Sequence, residues 1–156
     1  MRIIAKNIAT VRAVDGFVAH QCNCTTQGKA AGVAALIFRE FEYSDIYKKR
    51  KKPDDPGLAR LKRPYPAMPG YPTVINLMAQ YYPGEPNLID DAAQKRLQWL
   101  DEALFDMSFQ IGPGAHKIFI PYKMGCRLGG GNWGAVSEVL SKAEKAYGIE
   151  FICCVK

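Results

Sequence analysis

The sequence is poor in the features that mark secreted, membrane-spanning or metal-stabilised proteins. Among its 156 residues there are two histidines, and no apolar run reaches the roughly eighteen residues that a helix needs to cross a bilayer. The amino-terminal segment lacks the apolar stretch and the small-residue cleavage site of a signal peptide. We therefore expect a cytoplasmic protein that makes no contact with membranes.

The cysteines do not form a pattern typical of disulfides or of zinc. Their number is five, which is odd, and Cys22 with Cys24 or Cys153 with Cys154 are too close together for a disulfide framework or a zinc ribbon. His20 would share one strand face with Cys22 and Cys24, but the second ligand pair of a structural zinc site is missing. We expect reduced thiols, no metal and no cofactor.

Positive charge is concentrated in one part of the sequence. The net charge is +6, and the run "KKRKK" from Lys48 to Lys52 is followed closely by Arg60, Lys62 and Arg63. Such a block favours an anionic partner. No base-reading motif or interleaved aromatic residue accompanies it, so we interpret it as a solvated helix end and do not expect nucleic acid as a partner. A nuclear-localisation signal is the alternative.

The hydrophobic pattern alternates between strand and helix. Strands are predicted at "RIIA", at "GFVAHQC", near residues 73–79, at 117–121 and at "IEFICCV". Helical spacing begins at Ala30, and "YSDIYKKRKK" predicts a further short helix. It begins again after Asp90 and Asp91, whose carboxylates suit a helix amino terminus because they oppose its dipole, and once more before Gly148. The proline-rich stretch 53–72 is expected to be a long loop with one strand in it. This order predicts one α/β domain over residues 1–156, with a mixed or parallel sheet covered by helices on both sides, and we expect a monomer.

Two loops of small residues follow strands of this predicted sheet. They are "NCTTQGKAAG", from Asn23 to Gly32, and "YKMGCRLGGGN", from Tyr122 to Asn132. Ligands of such sheets bind beyond the carboxyl ends of the strands, and glycine and alanine let a backbone come close to a ligand. Each loop leads to a helix amino terminus, whose N–H groups favour phosphate. Because no Walker or G-x-G-x-x-G motif is present, we expect a diphosphate held by backbone amides.

These segments resemble a known family. "HQCNC", "AAGVAALIFREF" and "IPYKMGCRLGGGNW" are similar to the macro domain, in the branch of the terminal ADP-ribose-protein glycohydrolase and the yeast-type ADP-ribose 1''-phosphate phosphatase. The resemblance extends from Asn7 to the last strand. It implies a three-layer α/β/α fold with a central mixed sheet and with ADP-ribose in a cleft across that sheet.

The resemblance also implies which residues contact the ligand. Asn7 and Ile8 stand where macro domains usually have Asp-Ile beside the adenine, and Asn23 matches the asparagine that faces the distal ribose. Arg127 replaces a common glycine. The residues that match the two diphosphate loops are Gly32 and Val33 in the first, and Gly125, Cys126, Arg127, Leu128, Gly129 and Asn132 in or after the second.

Departures from the family pattern restrict the chemistry. The glycohydrolase uses a lysine after its middle strand and an aspartate in the second loop, and these positions correspond to Ala79 or Gln80 and to Gly129. A lysyl-adduct mechanism is therefore not expected. The branch usually has an acidic residue immediately before the tryptophan, and Asn132 in that place cannot act as a base.

What remains resembles the phosphatase, because His20 and Asn23 match its H-x-C-N-C run. His20 would position or deprotonate a water molecule, while a strand histidine with only a structural role is the open alternative. Cys24 is not expected as a nucleophile, since no C-x5-R loop follows it. The sequence thus predicts an ADP-ribose-binding domain that hydrolyses ADP-ribose 1''-phosphate or a related distal-ribose derivative. A non-catalytic reader of ADP-ribose or of ADP-ribosylated protein is the alternative.

Overall fold

A mixed sheet forms the middle layer of the computed structural model, which describes all 156 residues. The sheet has six strands in the order β1-β6-β5-β2-β4-β3. β3 is antiparallel to β4, and the other neighbours are parallel. The strands are β1 (Arg2–Ala5), β2 (Phe17–Asn23), β3 (Ala59–Lys62), β4 (Val74–Gln80), β5 (Lys117–Pro121) and β6 (Glu150–Val155).

Helices cover both faces of the sheet. They are α1 (Gly32–Glu40), α2 (Ile46–Lys49), α3 (Ala93–Ile111) and α4 (Trp133–Tyr147), with two short 3-10 helices at Ile8–Thr10 and Glu42–Ser44. α3 and α4 pack on one face around Leu100, Leu104 and Leu140. α1 and α2 pack on the other face around Ile37 and Tyr47. The α/β fold with a three-layer arrangement and a mixed central sheet, predicted from the sequence, is confirmed.

The central strands are apolar because both of their faces are covered. Every residue of β4 is buried, and β2 is buried at most positions. Near-continuous runs of Val, Ile and Leu are typical of strands between two helical layers. The carboxyl ends of β2, β4 and β5 consequently lie at the same edge of the sheet, because these strands are parallel.

Several predicted boundaries agree with the structure. β5 has the predicted bounds, and the strand expected near 73–79 is β4. α4 ends at Gly148, whose left-handed backbone (φ 67°, ψ 30°) places its N–H on the carbonyl of Glu144. Glycine adopts this conformation without steric cost, so it is a common helix stop. The strand expected within the proline-rich stretch is β3, at the edge of the sheet.

Two local expectations need correction. The basic helix is shorter than predicted, because α2 ends at Lys49 and Arg50 adopts an extended backbone. Asp91 does not cap α3, which begins at Ala93 after an Ala92 cap that makes no side-chain bond. The Asp91 carboxylate is buried instead and accepts other hydrogen bonds, described below. No helix in the structure combines the length and apolar character needed to span a bilayer.

Candidate functional site

A cleft of about 980 Å³ opens at the carboxyl ends of the central strands. Its walls are the loop between β2 and α1 and the loop between β5 and α4, the two loops singled out in the sequence. Lys29, Lys123 and Arg127 are exposed on its rim, and no aspartate or glutamate lines it. The cleft therefore offers an electropositive environment for an anionic ligand.

Asn23 shapes the first loop from within. Its Oδ1 accepts hydrogen bonds from the amides of Thr25 (3.0 Å) and Thr26 (2.8 Å), and its Nδ2 donates to Thr26 Oγ1 (2.9 Å). This Asx-type turn redirects the chain immediately after β2. Asn23 is buried, and it both organises the loop and borders the cleft.

Arg50, the residue that follows α2, stabilises the same loop by hydrogen bonds. Its Nη2 donates to the Asn23 carbonyl oxygen (2.9 Å) and its Nη1 to the Thr26 carbonyl oxygen (3.1 Å). The guanidinium also lies over the ring of Tyr47, 5.0 Å from its centroid. The Tyr47 hydroxyl in turn accepts the Asn23 amide at 2.9 Å. Sequence reasoning missed Arg50 because it lies inside "KKRKK" and looks like its solvated neighbours.

His20 is held in a buried hydrogen-bond network. Its Nε2 lies 2.7 Å from Asn76 Oδ1. Asn76 Nδ2 donates to the carbonyl oxygens of Ser44 and Arg60, both at 3.2 Å. These two bonds fix the orientation of the amide, so its oxygen faces the imidazole and Nε2 carries the proton.

The environment of His20 also decides its charge. Burial lowers the pKa of His20 to about 4, against a smaller opposing effect of the Asn76 hydrogen bond. The ring is therefore neutral at pH 7, and only Nδ1 remains as a base, with Cys22 Sγ 3.8 Å away. The Phe38 ring meets the imidazole edge to face at 5.1 Å. His20 thus has a structural role between β2 and β4 in addition to its place at the cleft.

The cysteines near this network are not poised to react. Burial raises the pKa of Cys22 well above its usual range and that of Cys24 to about 12. Both thiols are protonated at neutral pH, and the thiolate is the nucleophilic form. The structure contains no group of His, Cys, Asp and Glu side chains arranged to hold a metal ion.

The glycine-rich loop after β5 is wrapped tightly around one carbonyl oxygen. The amide of Gly131 donates to the Gly125 carbonyl oxygen at 3.0 Å. A Cβ added to Gly129 or Gly131 would lie 2.6 or 2.8 Å from that same oxygen. Such distances are shorter than any tolerable contact, so these two positions need glycine for packing.

A buried ion pair anchors this loop to the rest of the molecule. Arg96 Nη2 lies 2.6 Å from Asp91 Oδ2, and both side chains are buried. Arg96 Nη1 donates to the carbonyl oxygens of Gly129 (3.0 Å) and Gly84 (2.9 Å). Because Gly129 and Gly84 both border the cleft, this one guanidinium positions two of its walls.

Asp91 completes the same network from the other side. Its carboxylate oxygens accept the amides of Tyr81 (3.1 Å) and Tyr82 (2.9 Å). Burial opposes ionisation, but the hydrogen bonds from Arg96 and from these amides outweigh it and hold the pKa of Asp91 below its usual value. Asp91 is therefore charged at neutral pH, which satisfies the buried guanidinium.

Backbone amides at the two loops have no acceptor within the chain. In the first loop they are the amides that open α1, and in the second they lie between the internal turns. Leu128 extends across the mouth of the cleft, because a Cβ on Gly32 would lie only 2.8 Å from Leu128 Cδ1. The residues with these free amides, all of which line the cleft, are Gly32, Val33, Ala34, Arg127, Leu128 and Gly129.

The structure brings most of the predicted site residues together. Four of them do not line the cleft: Asn7 caps the first 3-10 helix, Ile8 is buried in the core on the α1 side, Cys126 donates to the Met124 carbonyl oxygen, and Asn132 caps α4. Asn132 borders a smaller cavity of about 60 Å³ behind the glycine-rich loop. The predicted residues that line the cleft are His20, Asn23, Gly32, Val33, Gly125, Arg127, Leu128 and Gly129.

Two glutamines on adjacent strands were not anticipated. Gln21 Nε2 donates to Gln80 Oε1 at 2.8 Å, and Gln80 Nε2 donates to the Tyr82 carbonyl oxygen at 2.9 Å. Both glutamines line the cleft. The Gln21 side-chain oxygen receives no hydrogen bond from the chain and remains free to accept one from a ligand hydroxyl. In the sequence, these two glutamines could have been recognised by their positions within the last three residues of β2 and β4.

The fold is similar to that of known structures. A protein of unknown function from Bacteroides thetaiotaomicron has a TM-score of 0.68 at 19% identity, with 98% of this chain and 96% of that chain covered. The macrodomain of Mycobacterium tuberculosis DarG has a TM-score of 0.67 at 15% identity, with coverage of 99% and 97%. A second Bacteroides thetaiotaomicron protein has a TM-score of 0.63 at 20% identity, with 99% of both chains covered. No protein-family model and no curated protein matches the sequence. The chain thus has the fold of a macrodomain.

The buried His20 predicts a pH-dependent stability. Its folded pKa of about 4 lies below the unfolded value of about 6.5, so its stabilising contribution is complete above pH 6.5 and is lost as the pH falls toward 4. Between pH 7 and 5 we expect it to cost the wild type about 2 kcal/mol of unfolding free energy. Urea unfolding of wild type and His20→Gln at both pH values checks this, since the variant should lose much less. His116→Gln, which replaces the other histidine, should keep the wild-type dependence, and a wild-type-like loss in His20→Gln would contradict the assignment.

The buried ion pair predicts an unequal effect of two similar substitutions. Asp91→Asn leaves Arg96 buried without its counter-charge and should lower the unfolding free energy by about 3 kcal/mol or more. Asp54→Asn removes the partner of Arg60, but that guanidinium is more exposed, so the loss should stay below about 1 kcal/mol. Urea unfolding at pH 7 measures both. Equal losses would show that Asp91 is not the central anchor.

Proposed function

We propose that the cleft binds ADP-ribose or a derivative of it. The observation that carries this proposal is the pair of loops whose free amides face one cleft, since backbone amides and a helix amino terminus are suited to phosphate oxygens. The fold of the Mycobacterium tuberculosis DarG macrodomain supports the same function. A diphosphate that accepts hydrogen bonds from the free amides of both loops would connect the two walls of the cleft.

The charges around the cleft support an anionic ligand. Lys29 lies on the first loop, and Lys123 and Arg127 lie on or beside the second. With no carboxylate in the lining, nothing offsets the attraction of these cations for a diphosphate. Arg127 replaces the glycine common in similar loops, so it adds a cation where the resemblance places the phosphates.

Polar groups at the floor of the cleft suit the hydroxyls of a ribose. Asn23 uses one of its two amide protons on Thr26 and retains the other. The free side-chain oxygen of Gln21 lies on the neighbouring part of the same strand. A hydroxyl both donates and accepts, so one donor and one acceptor near the end of β2 can orient a sugar.

The arrangement favours a binding function over acid-base catalysis. The imidazole of His20 donates from Nε2 to Asn76, and its low pKa makes it a weak base and leaves it without a proton to give from Nδ1 at neutral pH. No carboxylate in the cleft can take its place. We therefore propose a reader of ADP-ribose or of ADP-ribosylated protein as the primary function. Hydrolysis of ADP-ribose 1''-phosphate is the second proposal, because the His20 ring borders the cleft.

Calorimetric titration tests the binding proposal. We expect ADP-ribose to bind much more tightly than AMP or ADP, because only ADP-ribose has a distal ribose that reaches the floor of the cleft. Gly32→Val should lower the affinity at least tenfold, since a side chain at this position would clash with Leu128 and displace one of the two loops. Gly28→Ala is the matched control: its backbone φ is also positive, but a Cβ there meets no neighbour, so the affinity should change less than twofold. Equal, weak binding of all three nucleotides would overturn the proposal.

Phosphate release from ADP-ribose 1''-phosphate tests the second proposal. If His20 deprotonates water, His20→Ala should abolish release, because no carboxylate in the cleft can replace it. Release by His20→Ala at the wild-type rate would rule out the buried histidine as the base. Calorimetry on the same preparation shows whether a protein that releases no phosphate still binds ADP-ribose.

A further inference from the structure

Four exposed lysines follow one another closely beside the cleft. They are Lys48 and Lys49 at the end of α2 and Lys51 and Lys52 in the bend that follows, and we call them the lysine cluster. We propose that the lysine cluster docks a nucleic-acid strand through its phosphate backbone. This inference goes beyond the binding of ADP-ribose and stands without it.

Hydrogen bonds place the lysine cluster next to the first loop of the cleft. The amide of Gly28 donates to the Tyr47 carbonyl oxygen at 2.9 Å, immediately before the cluster. The amide of Asp54 donates to the Cys24 carbonyl oxygen at 2.8 Å, immediately after it. Between these two attachments, Arg50 is bonded to Thr26. A strand held by the cluster would therefore run past the edge of the cleft.

The basic residues that follow the cluster in the sequence do not all lie beside it. Arg60 is near the cluster but forms an ion pair with Asp54 at 2.7 Å. Lys62 is paired with Val74 at the start of β4, whereas the cleft lies at the end of that strand. The basic stretch of the sequence thus extends from one end of β4 toward the other, and the lysine cluster is the part beside the cleft.

The cluster keeps its positive charge. None of its lysines forms an ion pair. The acids nearby are Glu42, Asp45, Asp54 and Asp55, and of these Asp54 is paired with Arg60. The five consecutive cations from Lys48 to Lys52 therefore outnumber the three remaining acids. The lysine cluster thus has a local excess of positive charge that attracts a polyanion.

The surroundings of the cluster favour nucleic acid over a membrane or an acidic protein. No large apolar side chain is exposed among the lysines, since Tyr47 is buried. A membrane-surface helix needs an apolar face to insert, and a specific protein interface needs an apolar or aromatic centre. Lysine provides point charges suited to phosphates. Arg50, the arginine within the run, is turned inward, so we expect sequence-independent contacts to the backbone.

Fluorescence anisotropy with a labelled single-stranded oligonucleotide of mixed sequence tests the proposal. At 50 mM KCl we expect a Kd of about 1 to 100 µM, and a slope of log K against log[KCl] of about −3 for four phosphate contacts. Charge reversal of the cluster (K48E, K49E, K51E and K52E together) should weaken binding at least tenfold and flatten the salt dependence. The matched control reverses K62E, R63E, K142E and K145E, which lie away from the cleft. Both variants have the same net charge, so only position distinguishes them.

Three outcomes would overturn the proposal. One is an equal loss of affinity in the two variants, which would show that net charge alone drives binding. Another is no oligonucleotide binding by the wild type at low salt. The third is cluster-dependent binding to phosphatidylserine-containing vesicles without binding to the oligonucleotide, which would assign the cluster to a lipid surface. The cluster variant should still bind ADP-ribose more tightly than AMP or ADP, because no residue of the cluster lines the cleft. The loss of oligonucleotide binding is therefore distinguishable from failure of the proposed function.

Discussion

The buried pair of Asp91 and Arg96 is the constraint on which the cleft depends. A guanidinium on α3 reaches carbonyl oxygens in two separate loops, one after β4 and one after β5, and it can remain buried only because the carboxylate of Asp91 lies beside it. Asp91 itself is satisfied by two backbone amides at the end of β4. Glycine-rich loops are otherwise free to adopt many conformations. Here a single ion pair, positioned by α3, holds the glycine-rich loop after β5 in one conformation, so that it forms a defined wall of the cleft.

The opposite wall is held by a separate arginine that also binds backbone carbonyl oxygens. Arg50 fixes the turn after β2 through the carbonyl oxygens of Asn23 and Thr26, so a cation again organises a loop by binding its backbone oxygens. The free amides that line both walls have a different origin. Those of the first wall open α1, and those of the second wall lie between the internal turns of the glycine-rich loop. Amides of both kinds are suited to anions.

The sequence predicted the architecture well because the spacing of apolar residues reflects which faces of the strands and helices are buried. The strands between the helical layers are mostly apolar, and α3 and α4 end at glycines that adopt positive φ, so these features were recognisable in the sequence. The anchoring residues were not. Asp91 was interpreted as a carboxylate that opposes the dipole at a helix amino terminus, and Arg50 was interpreted as one of five solvated cations. Arg50 and Arg96 acquire their roles from partners distant in the chain, Asn23 and Gly129, and no local pattern indicates such partners. Asn7 and Cys126 show the converse case: the resemblance marked them as ligand contacts, and the structure gives them local bonds outside the cleft.

The electrostatics of the cleft determine whether its residues can exchange protons with a ligand near neutral pH. Catalysis of hydrolysis needs a group that exchanges a proton near neutral pH, whereas the only histidine at the cleft is neutral, hydrogen-bonded to Asn76 and a weak base. Stabilising His20 in this state serves the junction of β2 and β4, because its partner Asn76 connects the strand to Ser44 and to β3. Because His20 is hydrogen-bonded to Asn76 and packed against Phe38, a change that let it exchange protons near neutral pH would disturb this junction. The proposed reader function places no such demand on His20, because the orientation of the loop amides is set before a ligand arrives and requires no change in protonation.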